Sequence, residues 1–193
     1  MTRRQCKAGG AVLRWVMPTE HEHLDAMHPW LRERVAAALA EWRATAAVGE
    51  TIRLVESVRS TATQAKYFSE GRSKADGVNK LSLHQFSPAL AADVAVMRGG
   101  KYVANASDPT WSRWGKAAQS HGLEWGGAWT GIVDCPHVQV AVQQRVRLAQ
   151  VAAGVDADGV WGPATERAVG GPFRGGSGWE RMSLAAWSAL EHG

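Results

Sequence analysis

The chain of 193 residues predicts an α+β domain over residues 1–140, followed by a small all-helical unit over residues 141–193. Three observations lead there. Apolar residues make up 45% and charged residues 21%, ordinary values for one good core, or for a core with a small appendage. Up to about Val140, stretches with helical spacing alternate with short β-branched runs, whereas beyond Ala141 only helical patterns and Gly-rich turns remain. No Pro/Ser-rich linker separates the two parts, so the boundary rests on this change of pattern.

Taken in order, Pro29 suits the first turn of a helix reaching about Ala47, with Leu31, Val35, Leu39 and Trp42 forming its buried stripe. Gly49 ends it. "TIRLVESV" follows as a strand with Ile52, Leu54 and Val58 on one face, and "STATQAKYF" opens a short helix. "GRSKADGVNK" is a polar loop and "LAADVAV" a buried strand. Asp108-Pro109 starts a helix to about Ser120, "HGLEWGGAWTG" is a Gly-Trp loop, and "HVQVAV" is the last short strand. In the tail, "VQQRVRLAQVAA", "ATERAV" and "SLAAWSAL" read as three helices.

The formal charge of +4 favours a polyanionic partner, either nucleic acid or the acidic bacterial wall. The basic residues are scattered and no nucleic-acid motif is present, which argues against the first. Ten tryptophans are unusual; Trp125, Trp129, Trp161 and Trp179 sit in polar or Gly-rich stretches, suited to sugar or peptide contact or to packing at the core's edge. Two cysteines, Cys6 and Cys135, make no disulfide framework and read as free thiols. The start imitates a signal peptide, but Arg14 interrupts the apolar run and Gly9 and Gly10 weaken it. The expectation is a chain made in the cytoplasm without its own export signal, stable membrane association or transmembrane segment.

Candidate chemistry lies in "SLHQFSPALAADV" and "DCPH". A catalytic metal site wants three protein ligands and one open position, and His84, Asp93 and His137 offer two imidazoles and a carboxylate. Residues nine apart on a plain strand point to opposite faces, so Pro88 would have to kink the run. Cys135-Pro136 can form a bend that brings Asp134 to the same point, where a carboxylate can serve as general base. The competing reading is a hydrogen-bonded surface His–Asp pair, with Asp134 a turn residue and Cys135 a small buried one. Spacing alone leaves both open.

Three segments, "VESVRSTATQAKYFSEGRS", "SLHQFSPALAADVAV" and "LEWGGAWTGIVDCPHVQV", occur in this order. Together they resemble the VanY-like family of zinc D,D-carboxypeptidases and L-alanyl-D-glutamate endopeptidases, which includes many phage endolysins. The likeness covers roughly residues 24 to 140. It implies a small antiparallel sheet with flanking helices, Zn2+ held by His84, Asp93 and His137, and Asp134 as catalytic base. Many relatives have six residues between the first His and the Asp; this chain has eight.

The resemblance also points to Arg59, Gln64 and Ser82 as substrate-binding, with Arg59 polarising the scissile carbonyl or holding a carboxylate. Their plain alternatives are a strand-end charge for Arg59, a Thr61-x-x-Gln64 capping box, and a tightened loop at Ser82. The implied protein is a monomeric phage-type endolysin, made in the host cytoplasm, acting on peptidoglycan after release. A D-alanyl-D-alanine carboxypeptidase is the alternative within the class, and a non-catalytic wall-binding or virion structural protein the alternative outside it.

Other motifs are weaker. "HEH" with His28 looks like a metal cluster but reads as a polar surface leader. "DADG" starts like a calcium loop, yet its twelfth position is Arg167, which excludes the bidentate Glu. Glu124 is an extra acid or a loop residue. "DADGVWGPATERAV" resembles the signature of a three-helix peptidoglycan-binding module, which implies wall binding through Asp158, Gly159, Trp161 and Thr165; "GGPFRGGSG" departs from that module, and a structural cap is the alternative.

Overall fold

Two capped helices and the face parity of one central strand determine where the site lies. The computed structural model describes residues 18–169 and 187–188. The elements are α1 (Glu20–Asp25), α2 (Pro29–Ala44), β1 (Glu50–Glu56), α3 (Thr61–Ser69), β2 (Ala91–Arg98), β3 (Lys101–Tyr102), α4 (Pro109–Ser120), β4 (Glu124–Trp125), β5 (His137–Gln139), α5 (Val142–Ala152) and α6 (Pro163–Val169), with 3₁₀ turns at Leu83–Gln85 and Gly126–Ala128.

α2 and α4 start alike. Each has proline in the first turn and a side chain accepting an orphan N–H: His28 Nδ1 from Trp30, and Asp108 from Thr110. The α2 stripe of Leu31, Val35, Leu39 and Trp42 is buried, as its spacing predicts. α4 adds Trp111 and Trp114, and the Trp42 indole N–H donates to the Thr110 carbonyl at 3.3 Å.

The sheet is antiparallel, in the order β1-β2-β5-β4, with β3 also paired to β2. Ala92, Val94 and Val96 of β2 stand beside Val138 of β5 and Leu54 and Ile52 of β1, all buried in one core. The alternate residues therefore leave the opposite face. Asp93 sits on that second face, directly across from His137. A bulge between Leu54 and Glu56 sets Glu56, rather than Val55, opposite Asp93 from the other side.

Several expectations need correction. β1 ends at Glu56, so Val58 lies beyond the strand and is exposed. The "HEH" stretch is helical, and His23 is buried with its Nδ1 3.1 Å from Ser57 Oγ, because that face of α1 packs on β1. Ser60, not Thr61, caps α3, so Gln64 belongs to no capping box. The Gly-Trp loop contains β4 and a 3₁₀ turn.

In the tail, α5 and α6 form as their patterns predict; most of the last expected helix lies outside the described residues, as do Cys6 and Trp179. Val146, Ala149, Val169 and Trp187 join the same apolar cluster as Leu31 and Phe86. Among the described residues no helix is long and apolar enough to cross a membrane.

Candidate metal centre

His84 arrives from a 3₁₀ turn, not from a strand. The Ser82 hydroxyl caps that turn and Gln85 returns the bond to the Ser82 N–H, while the Ser87–Pro88 peptide is cis and the chain reaches Asp93 on β2. The run between His84 and Asp93 is thus irregular, as the opposing strand parity requires. At the other end, Cys135 and Pro136 form a turn closed by the His137 N–H donating to the Asp134 carbonyl at 3.2 Å.

Three ligand atoms converge. His84 Nε2 lies 3.3 Å from His137 Nδ1 and 3.3 Å from Asp93 Oδ1, and His137 Nδ1 lies 2.9 Å from that same oxygen. A tetrahedral ion with bonds near 2.0–2.1 Å has ligand–ligand edges of about 3.3 Å, so the three atoms fit one face of such a site. The other ring nitrogens are engaged: His84 Nδ1 donates to the Ser57 carbonyl at 2.8 Å, and His137 Nε2 donates to Gln139 Oε1 at 3.1 Å. These bonds fix both tautomers with a lone pair toward the centre.

Burial pushes the Asp93 carboxyl up, but the positive charge and hydrogen bonds that the two facing imidazoles provide when they carry protons outweigh it and hold the group well below the usual carboxylate range; a bound cation would take the place of those protons. The Arg59 guanidinium lies 3.3 Å from Asp93 Oδ2, which leaves Oδ1 for the cluster. Asp134 differs: burial first, and then the charge of Asp93, raise its carboxyl. It lines the same groove but offers no atom to the three-ligand cluster, as a base distinct from the ligands would. Gly126 permits this placement, because a Cβ there would come within 2.6 Å of the Asp134 carbonyl oxygen.

A family model described as D-alanyl-D-alanine carboxypeptidase matches residues 76–140, the segment holding His84, Asp93, Asp134 and His137. Over that segment the chain is similar to the VanY-like peptidases. The structure of the Serratia marcescens L-Ala D-Glu endopeptidase ChiX has the same fold, with a TM-score of 0.52 and 22% identity over 67% of this chain and 91% of that one. No curated protein matches.

The other expected site residues divide. Arg59 is tied up: it pairs with Glu56, donates to Gln64 Oε1 at 2.9 Å, and its side chain is only 9% exposed. Gln64 is fully buried, and its amide donates to Ser73 Oγ and the Ala75 carbonyl at 2.8 and 2.7 Å. Ser82 lines the groove beside His84. Glu124 accepts the Trp129 indole N–H at 2.7 Å, and Cys135 is buried with its thiol 3.6 Å from the Ala106 carbonyl oxygen.

The tail residues surround Gln150 instead of the groove. Its amide nitrogen lies 2.8 Å from Asp158 Oδ1 and 2.9 Å from Thr165 Oγ1, and its oxygen accepts the Gly159 N–H at 2.9 Å. Gly159 has φ +80°, which suits glycine, and Trp161 is half-buried against the core.

Sequence reasoning missed four groups: Glu56, Ser57, Gln139 and Trp129 as a wall of the centre. The Trp129 ring stands 5.2 Å from the His137 ring. Gln139 had a local signal, since it lies two residues from His137 on the same strand face, and Trp129 had one in its Gly-rich surroundings.

Proposed function

We propose that this chain is a zinc-dependent peptidase that hydrolyses the stem peptide of bacterial peptidoglycan at the L-alanyl-D-glutamate bond, as a phage-type endolysin. One observation carries the reading: three oriented lone pairs converge beside a separate, raised carboxylate in one groove. Two imidazoles and a carboxylate with an open fourth position suit catalytic zinc. Bound zinc supplies Lewis acidity and a nucleophile at neutral pH.

The chain's own groups do the rest. Asp134 takes a proton from the attacking water and returns it to the leaving amine, a task that its raised carboxyl suits. Ser57 and Gln139 hold the two imidazoles in the ligating tautomer, and Arg59 holds Asp93 by its outer oxygen. Trp129 covers the His137 side.

An aspartate at the base position favours the endopeptidase, since carboxypeptidase relatives more often carry glutamate. The description of the matching family supports a second reading, D-alanyl-D-alanine carboxypeptidase. A non-catalytic wall binder has no use for a base. Mass spectrometry of digested peptidoglycan separates these: new N-terminal D-Glu supports the endopeptidase, release of single D-Ala replaces it with the carboxypeptidase, and an intact wall removes both. Chelation should abolish hydrolysis and added zinc should restore it.

A further inference from the structure

The loop from Glu70 to Lys80 is polar in sequence yet firmly fixed. Gln64 holds it at Ser73 and Ala75, and Gln85 donates to the Gly77 carbonyl at 3.0 Å. Both glutamines are buried. Asp76 accepts the backbone N–H groups of Val78, Asn79 and Lys80 at 2.8–2.9 Å, and Gly77 (φ +80°) sits so close to Gln64 that a Cβ would lie 2.8 Å from its Cγ. A solvent-exposed loop needs no such anchorage to remain soluble.

What the loop presents is charge. Arg72, Lys74 and Lys80 are exposed and line the groove. Of the loop's two acids, Glu70 pairs with Arg72 at 3.4 Å and Asp76 accepts backbone N–H groups, and neither lines it, whereas the acidic lining, Glu56, Asp93 and Asp134, lies at the metal cluster. Tyr67 connects the two regions: Arg59 and Arg72 both lie over its ring, at 4.7 and 3.8 Å. The basic loop therefore flanks the Arg59 side of the cluster. Trp129, followed by exposed Ile132 and Val133, flanks the His137 side. The groove is electrically lopsided along its length.

We infer that Lys74 and Lys80, with Arg72 behind them, form a rim that binds a free carboxylate of the substrate peptide near the scissile bond. This rests on the peptidase reading and adds a specificity to it: peptides with ionised carboxyls are preferred over the same peptides amidated. Exposed ion pairs each contribute roughly 0.2–1 kcal/mol, so two lysines provide about a two- to thirty-fold preference, and salt screens it.

The experiment measures Kd by equilibrium titration of the zinc-loaded full chain carrying Asp134→Asn, which removes the proposed base and slows cleavage, with L-alanyl-D-glutamyl-L-lysine, carboxyls free or amidated. On that background the wild-type rim is compared with Lys74→Glu/Lys80→Glu, at about 0.05 and 1 M salt, and the parallel turnover assay uses the chain with Asp134 intact. The wild-type rim should prefer the acid form by about tenfold at low salt, and the double variant should lose or invert this; at high salt the ratio should collapse. Equal Kd for acid and amide with the wild-type rim, or a ratio unchanged by the double substitution or by salt, overturns the inference. Turnover is followed in parallel on the acid peptide: binding with the expected preference but no cleavage supports the rim while removing the peptidase reading.

Discussion

Gly126→Ala tests the geometry of the centre without touching a ligand. Its backbone lies outside the left-handed region, so alanine is conformationally acceptable there and the effect is steric. An added Cβ would lie 2.6 Å from the Asp134 carbonyl oxygen, 3.2 Å from the Asp134 Cβ and 3.1 Å from the His137 Cβ. Restoring ordinary contact needs a shift of about 0.8 Å, and backbone must make it. The same strand end is held by the Asp134 N–H donating to the Gly126 carbonyl at 3.1 Å, so the base moves with the turn. Overpacking of this kind costs about 1–3 kcal/mol of stability. A misplacement near 1 Å costs roughly 10²-fold in rate. The expected result is therefore a Tm lowered by a few degrees and turnover of a soluble muropeptide down about 10²-fold. Zinc content should stay near one per chain, because the ligand side chains can follow a sub-ångström shift. Measured together, thermal unfolding, metal analysis and kcat decide the matter. Full turnover at an unchanged Tm would refute the close approach of Gly126 to the Asp134–His137 turn.

Three further outcomes follow from the same contacts. Asp134→Asn should keep zinc and fold but lose roughly 10²–10⁴ in kcat, whereas His137→Ala should lose zinc and rate together; equal zinc loss in both would make Asp134 a ligand. Burial lowers the His23 pKa, more than Glu56 and Glu22 raise it, so the unfolded chain binds that proton more tightly. His23's share of stability is present above about pH 6.5 and falls as pH drops below it, so the gap between wild type and His23→Gln in urea midpoint should change over pH 5–7; parallel curves would exclude this. Trp187 is fully buried against Phe86, with ring centroids 6.1 Å apart, and Trp187→Ala should cost about 3–5 kcal/mol in denaturant unfolding; an unchanged midpoint would mean that the tail does not brace the loop after His84.

Much of the helical architecture was legible from residues. The α2 and α4 starts at Pro29 and Asp108-Pro109, the buried stripe of α2, and the existence of β1, β2 and β5 all follow from signals within a few positions of one another. The candidate residues of the centre, His84, Asp93, Asp134 and His137, came from the resemblance that their motifs carry, not from local signals. Spacing alone left a surface His–Asp pair open against the metal reading. The structure adds that Asp93 and His137 are cross-strand partners, with His84 brought to the same point.

Gln64 and the "HEH" stretch went the other way. Thr61-x-x-Gln64 obeys the local capping rule, yet Gln64 holds Arg59 and the loop at Ser73 and Ala75. His23 sits in a polar run, yet β1 covers it. What this sequence determined by itself is what depends on neighbours along the chain: caps, periodicity, turn residues, and which side chains can ligate or titrate. Only tertiary structure decided the bulge that sets Glu56 against Asp93, the tautomers held by Ser57 and Gln139, and the anchoring of a basic loop over the groove. Those depend on register and burial between segments tens of residues apart, where a one-residue slip reverses every side chain's face.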